Sequence, residues 1–196
     1  MTAETENPVE RYYLDAYQAM VDELAENRLP RIVSNGEPGH ARILVTALFR
    51  FAVKTVRIFS TKLGNQIYND RALQRAVKRF LDKPGTKLVI LLQDPDSTNN
   101  GGPTSGSFVS ILDEYGPDKV EMRRVVDDRD GPDSDTPHMV IQDAQAWRWC
   151  DDPSQHSAIA SFNQPERAAR AAYAFDKMFQ RAEPFRFPEM TANKAA

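Results

Sequence analysis

Cysteine, histidine and tryptophan are scarce in this sequence of 196 residues, which contains one Cys, three His and two Trp. A single cysteine, Cys150, excludes an internal disulfide and a cysteine-rich zinc site, so a secreted disulfide scaffold is ruled out. Three histidines leave little scope for a histidine-rich metal centre. We therefore expect no metal and no other cofactor. Cys150 has no neighbouring base in the sequence and is interpreted as an inert thiol.

Long apolar runs and a targeting signal are also missing. No apolar run approaches the roughly 18–20 residues that span a membrane, and residues 1–10 are acidic and polar, unlike a signal peptide. We therefore expect a soluble, cytoplasmic protein. Neither sign of charge dominates, since 25 Lys+Arg against 28 Asp+Glu give a net charge of −3. This balance argues against a protein that coats nucleic acid but leaves open a local basic face.

The length and the 41% hydrophobic content are sufficient for one sizeable core. We predict two parts, a polar tail with an amphipathic helix over residues 1–30 and an α/β domain over residues 31–196. Asn7 and Pro8 suit the start of a helix over residues 7–27, whose apolar side chains recur every three or four residues. This helix either packs on its own domain or clasps a partner as an arm.

Helical and strand patterns alternate along the rest of the chain. Helices are predicted near residues 40–53, 69–81, 107–115 and from 164 onward, and strands near 55–60, 86–93, 119–126, 139–142, 146–149 and 157–162. This order predicts a single α/β domain with a mixed, largely parallel sheet flanked by helices. Two polar loops, 94–106 and 127–137, are long enough to be mobile or functional. The second contains five aspartates, but their spacing does not match a calcium-binding loop.

Four polar residues near predicted strand ends are candidates for ligand binding, namely His138, Asp143, Ser161 and Asn163. An imidazole, a hydroxyl and an amide gathered at strand ends can bind a phosphate through hydrogen bonds. The alternative interpretation is structural. His138 is then a loop histidine after Pro137, and Asn163 caps the last helix ahead of Pro165.

Several of these segments together resemble one half of the phospholipase D-like fold. They are helix 40–53, strand 55–60, helix 69–82, strand 86–93 and the ending HMVIQDAQAWRW…AIASFNQPERAARAAYAFDKMF. The signature of that family is His-x-Lys, four residues, Asp, six residues and Gly-Ser-x-Asn. Residues 160–163 (Ala-Ser-Phe-Asn) resemble the last segment, and Asp143 resembles the signature aspartate.

The sequence departs from this signature at the catalytic positions. Thr136 stands where the family has its histidine, His138 stands where it has its lysine, and no lysine occurs between Lys119 and Lys177. The resemblance implies that the histidine attacks phosphorus while the lysine and asparagine hold the phosphate oxygens. Loss of the nucleophile and the lysine removes groups that act as a unit. The resemblance therefore predicts a degenerate, non-catalytic member that serves as a binding or assembly module, with a phosphate-containing ligand as one option.

The family normally places two halves face to face, so a single half is expected to form a homodimer. Two alternative functions stay open. One is a homodimeric, metal-independent phosphodiesterase or nuclease that uses a displaced His138. The other is a nucleic-acid-associated accessory protein.

A basic helix face supports the second alternative. Arg71, Arg75, Lys78 and Arg79 share one face and fit either an anionic partner or a solvated surface. No aromatic residues are interleaved with them, which weakens the case for nucleic acid.

Two tryptophans flank an arginine on a predicted strand. Because side chains alternate along a strand, Trp147 and Trp149 point to one face and Arg148 to the other. The tryptophans form either a binding or dimer surface or part of the core.

Overall fold

The computed structural model describes residues 8–63, 67–96, 107–126, 138–152 and 157–186. Within these ranges the helices are α1 Pro8–Glu26, α2 Pro38–Arg50, α3 Arg71–Leu81, α4 Ser107–Asp113 and α5 Pro165–Arg181. The strands are β1 Ile32–Asn35, β2 Thr55–Ser60, β3 Lys87–Leu92, β4 Val120–Arg124, β5 His138–Gln142, β6 Ala146–Asp152, β7 Ser157–Ser161 and β8 Glu183–Pro184. The loop predicted at 127–137 and most of the loop at 94–106 lie outside the described residues. Among the described helices, none has the length and apolar character needed to cross a membrane.

The described strands form one sheet in the order β1-β7-β6-β5-β2-β3-β4-β8. The predicted α/β class with a mixed sheet flanked by helices is confirmed. The predicted excess of parallel pairing is wrong, because only β2–β3 and β3–β4 pair in parallel and the other five pairs are antiparallel. The reason is the short connections between β5, β6 and β7, which permit hairpins but not the long crossovers that parallel neighbours require.

Helices cover both faces of the sheet. Helices α1 to α4 pack on one face, which we call the four-helix face, through a cluster that includes Val21, Leu48 and Phe80. Helix α5 packs on the other face, the α5 face, through a cluster that includes Trp147 and Phe175. The two clusters give a three-layer arrangement with the sheet in the middle.

The N-terminal helix packs on its own domain. Val21, Leu24 and Ala25 of α1 are buried in the cluster on the four-helix face. Farther toward the start of the helix, Tyr12 and Tyr13 are exposed, at 70% and 66%. The division of the chain into residues 1–30 and 31–196 stays a prediction.

Candidate functional site

The strand register separates the four predicted ligand-binding residues. His138 begins β5, and Asp143 follows the last residue of the same strand. At about 3.3 Å per residue, the two lie about 16 Å apart along the strand. Ser161 is opposite Trp147, whereas His138 is opposite Cys150, so Ser161 lies toward the Asp143 end of the sheet. The structure therefore does not bring the four residues to one place, and a single phosphate site built from all of them does not form.

Asp143 ties the β5–β6 turn to the segment ahead of β2. Its carboxylate accepts three backbone hydrogen bonds, from the N–H groups of Val53 at 2.7 Å, Lys54 at 2.7 Å and Thr55 at 2.8 Å. Both central residues of the turn, Asp143 and Ala144, have φ of 51°. Positive φ at both central positions is the geometry of a type I′ turn, closed here by the hydrogen bond from the Gln145 N–H to the Gln142 carbonyl, and aspartate tolerates it well. Asp143 is thus occupied in holding two backbone segments together.

Ser161 lies on the α5 face opposite Trp147, and Asn163 lies beside the β5–β6 turn. Ser161 is fully buried, and its Oγ has no hydrogen-bond partner within the described structure. The Oδ1 of Asn163 accepts a hydrogen bond from Gln145 Nε2. The residue that caps α5 is Gln164 rather than Asn163, and it makes no side-chain capping bond. Ser161 is therefore part of the packing between the sheet and α5.

His138 lies at the other end of β5, where its ring contacts the chain that leaves β2. Its Nε2 accepts a hydrogen bond from the backbone N–H of Thr61 at 3.1 Å and lies 2.7 Å from Thr61 Oγ1. Burial, helped by the nearby Arg148 charge, lowers the pKa of His138 from 6.5 to about 4. The ring is therefore neutral at pH 7. Because a backbone donor faces Nε2, the proton of the neutral ring is on Nδ1.

Arg148 is the residue that sequence reasoning placed on a face but did not assign to a site. It lies in the middle of β6 on the four-helix face, between Val140 of β5 and Ala160 of β7. The side chain is only 5% exposed, and its buried Nε has no hydrogen-bond partner in the described structure. None of the ion pairs among the described residues includes it. A charged group in the centre of a strand between two tryptophans was the available signal, but its burial required the tertiary structure.

Polar residues form a row across the sheet two positions along β6 from Arg148, toward the end at which β5 begins. His138 lies opposite Cys150, Cys150 opposite Ala158, and Ala158 opposite Asn35. Directly opposite residues of antiparallel strands share a face, and Cys150 shares the face of Arg148 because the two are two positions apart. His138, Cys150 and Asn35 thus line the four-helix face beside the guanidinium. Cys150 is buried. No base is near it in the sequence, but in the sheet His138 lies directly opposite.

The remaining predicted features lie away from this row. Trp147 is buried on the α5 face, with the Arg167 guanidinium 4.4 Å from its ring centroid, and Trp149 packs at the edge of the same cluster. The core interpretation therefore holds for the tryptophans. On α3, Arg71, Arg75 and Arg79 are exposed. The fourth residue of the basic face pairs with an acid, as Lys78 Nζ donates to a carboxylate oxygen of Glu114.

The described residues contain no group of three or more His, Cys, Asp or Glu side chains that could hold a metal ion. A buried guanidinium and a neutral imidazole instead supply hydrogen-bond donors. A guanidinium has donors and no acceptor, so it binds anions rather than cations.

A family model covers most of the chain. The model described as a domain of unknown function (DUF7931) matches residues 37–187. The chain belongs to the DUF7931 family. No curated protein matches its sequence.

Solved structures of low sequence identity share the fold of this DUF7931 member. Nuc from Salmonella typhimurium, a phospholipase D family member, is 14% identical with a TM-score of 0.51, over 80% of this chain and 97% of Nuc. NucT from Helicobacter pylori is 16% identical with a TM-score of 0.53, over 79% of this chain and 100% of NucT. TrmBL2, an archaeal chromatin protein, is 15% identical with a TM-score of 0.55, over 90% of this chain and 63% of TrmBL2.

These similarities confirm the phospholipase D-like fold that the sequence resemblance implied. At this level of identity they concern the fold alone. The inactive site, the homodimer and the cytoplasmic location stay predictions.

Proposed function

We propose that this DUF7931 member is a non-catalytic, phospholipase D-like binding module for a phosphate-containing ligand. The ligand would bind on the four-helix face of the sheet, between Arg148 in the middle of β6 and His138 at the start of β5. The observation that carries the proposal is the hydrogen bond from the Thr61 backbone N–H to His138 Nε2.

This hydrogen bond occupies the ring nitrogen that nucleophilic catalysis would use. An imidazole attacks phosphorus through an unprotonated ring nitrogen, so that nitrogen must face the substrate. In neutral His138 the unprotonated nitrogen is Nε2, and it faces the backbone of Thr61 instead. The sequence also offers no lysine between Lys119 and Lys177 to stabilise the charge that develops in the transition state.

The four-helix face beside His138 keeps the means to bind an anion. Arg148 carries a positive charge, and its guanidinium presents donors in a planar fork that fits two oxygens of one phosphate group. Binding of this kind requires no proton transfer and no nucleophile. A site with a donor and no reactive base is suited to binding rather than to turnover.

A diester hydrolysis assay tests the absence of catalysis. Purified protein should release no nitrophenol from bis(p-nitrophenyl) phosphate above the buffer rate, with or without EDTA, and His138→Ala should behave in the same way. Turnover that persists in EDTA and is lost in His138→Ala would instead establish the metal-independent phosphodiesterase.

The predicted homodimer needs its own measurement. Light scattering coupled to size exclusion at micromolar concentration should give twice the monomer mass of 22.2 kDa. A clean monomer at that concentration would contradict the homodimer and leave the binding function unaffected.

A second candidate, a nucleic-acid-associated accessory protein, is favoured by the exposed arginines of α3. Arg71, Arg75 and Arg79 recur every four residues along one side of the helix, and no ion pair among the described residues includes them. TrmBL2, one of the structural neighbours, is a chromatin protein that binds DNA. If the function applies here, affinity for duplex DNA falls steeply with salt and is lost on reversal of the three charges. Binding that survives the charge reversal would contradict this candidate.

A further inference from the structure

We propose that Arg148 is the anion-binding group of this protein and that its guanidinium holds one tetrahedral oxoanion, a free phosphate or the phosphate of an ester. The inference rests on the proposed binding function and names the residue and the ligand class.

Arg148 is a buried charge that forms no ion pair with any residue in the described part of the chain. Arg148 is 5% exposed, and its Nε finds no acceptor in the described structure. Its neighbours on adjacent strands, Val140 and Ala160, are aliphatic and offer none. An unpaired buried charge is strongly unfavourable, and folded proteins usually pair such groups with an opposite charge. A bound anion would supply the missing partner.

The titratable groups close to Arg148 do not supply that partner. Its charge acts on Tyr17, Tyr68 and His138. Burial raises the pKa of both tyrosines to about 12, and it lowers the pKa of His138 to about 4. All three are therefore neutral at pH 7 and leave the guanidinium charge uncompensated.

Glu37, a carboxylate close to Tyr17, already interacts with other groups. Glu37 is close enough to raise the pKa of Tyr17. Its Oε1 lies 3.1 Å from Nε2 of His40, on the N-terminal turn of α2. Glu37 thus interacts with the tyrosine and the histidine at the α1–α2 contact.

The chemistry of the groups selects the ligand class. A guanidinium has donors and no acceptor, and its fork matches two oxygens of a phosphate or sulfate. The Nδ1–H of His138 is a further donor on the same face of the sheet. Two donors of this type favour a tetrahedral oxoanion over a cation or an apolar ligand.

Phosphate-dependent stability of the full chain tests the proposal. Urea unfolding is measured in sodium chloride and in sodium phosphate at equal ionic strength and pH 7, with a second series in a mononucleotide. Wild-type protein should gain stability that grows with the logarithm of phosphate concentration, because the folded state alone binds the ligand. A response to the mononucleotide alone would identify an ester as the ligand, and a response to inorganic phosphate would identify the free ion.

Arg148→Met is the decisive variant. It should be more stable than wild type in chloride, because an unpaired buried charge is replaced by an apolar side chain of similar length. Its apparent affinity for phosphate should fall at least about 10-fold, the effect expected from the loss of a charge-assisted hydrogen bond. If Arg148→Met does not fold, Arg148→Lys keeps the charge without the fork and should lower the affinity to a smaller extent.

Arg57→Met provides the matched control. Arg57 forms two hydrogen bonds with Asp176 of α5, at 2.8 and 3.0 Å, on the opposite face of the sheet. Its loss should reduce stability and leave the phosphate response unchanged.

Two results would overturn the inference. One is a wild-type protein that is no more stable in phosphate or mononucleotide than in chloride. The other is an Arg148→Met protein that responds as strongly as wild type. Diester turnover in the separate hydrolysis assay would contradict the proposed function itself, so the two failures are distinguishable.

Discussion

Replacement of Asp143 by alanine tests whether this residue is structural or part of a ligand site. The carboxylate accepts hydrogen bonds from the backbone N–H groups of Val53, Lys54 and Thr55. A hydrogen bond to a charged acceptor contributes about 1.5–3 kcal/mol. The donors on Val53 and Lys54 are exposed and regain water when the carboxylate is removed, so only the bond to Thr55 counts in full. We expect Asp143→Ala to lower the free energy of unfolding by about 2–4 kcal/mol.

Urea unfolding followed by tryptophan fluorescence measures this loss, with the slope against urea checked for two-state behaviour. Asp143→Asn is the matched control, because asparagine keeps an acceptor oxygen and tolerates positive φ, and it should lose about half as much. The phosphate response of the folded variants should equal that of wild type. An Asp143→Ala protein as stable as wild type that has lost its phosphate response would refute the structural role.

Three further predictions concern stability. Ser161→Ala should stabilise the protein by about 1 kcal/mol in urea unfolding, because a buried Oγ without a partner is removed, and a loss of similar size would reveal a hydrogen bond that the structure lacks. Ala144→Gly should raise the urea midpoint by the equivalent of about 0.5–1 kcal/mol, since relief of the positive φ exceeds the entropy cost of glycine, and a lower midpoint would contradict this. The lowered pKa of His138 means that the unfolded state binds more protons between pH 6.5 and about 4, so unfolding free energy should fall by up to about 3 kcal/mol as the pH drops through that range. In His138→Gln this pH dependence should shrink, whereas an unchanged slope would assign it to another group.

Much of the fold was predictable from local patterns. The apolar positions of α5 repeat every three to four residues, and Ala168, Ala172, Phe175 and Phe179 are all buried. Asp70 marks the start of α3, where its carboxylate accepts hydrogen bonds from the N–H groups of Ala72 and Leu73. Such capping and periodic signals depend on neighbours in the sequence, so a single sequence reveals them.

The strands at the edges of the sheet were not predictable in this way. β1 has four residues and pairs with β7, more than 120 positions away, and β8 has two residues. Neither segment is long enough to show an alternating pattern. Pairing with a distant strand, rather than local propensity, holds each of them in the sheet.

The candidate site was predictable only in part. Alternation along β6 placed Arg148 opposite the face of Trp147, which the structure confirms. The match of residues 160–163 to Gly-Ser-x-Asn depended on sequence spacing alone. In the structure β7 runs antiparallel to β6, and this direction carries Ser161 away from the His138 end. The burial of the Arg148 guanidinium depends on helices that pack over the sheet, which no local pattern reports.

The short edge strands also restrict how two copies of the protein can associate. An open sheet invites a second chain to pair with its free edges unless those edges are blocked. At one edge Tyr17 Oη donates a hydrogen bond to the Ser34 carbonyl at 3.0 Å, and at the other β8 is limited to Glu183 and Pro184. Continuation of the sheet from one copy to the next is therefore disfavoured. If the prediction of a homodimer is right, the two copies would meet through helices or through an end of the sheet, and the end at which β5 begins with His138 is one such surface.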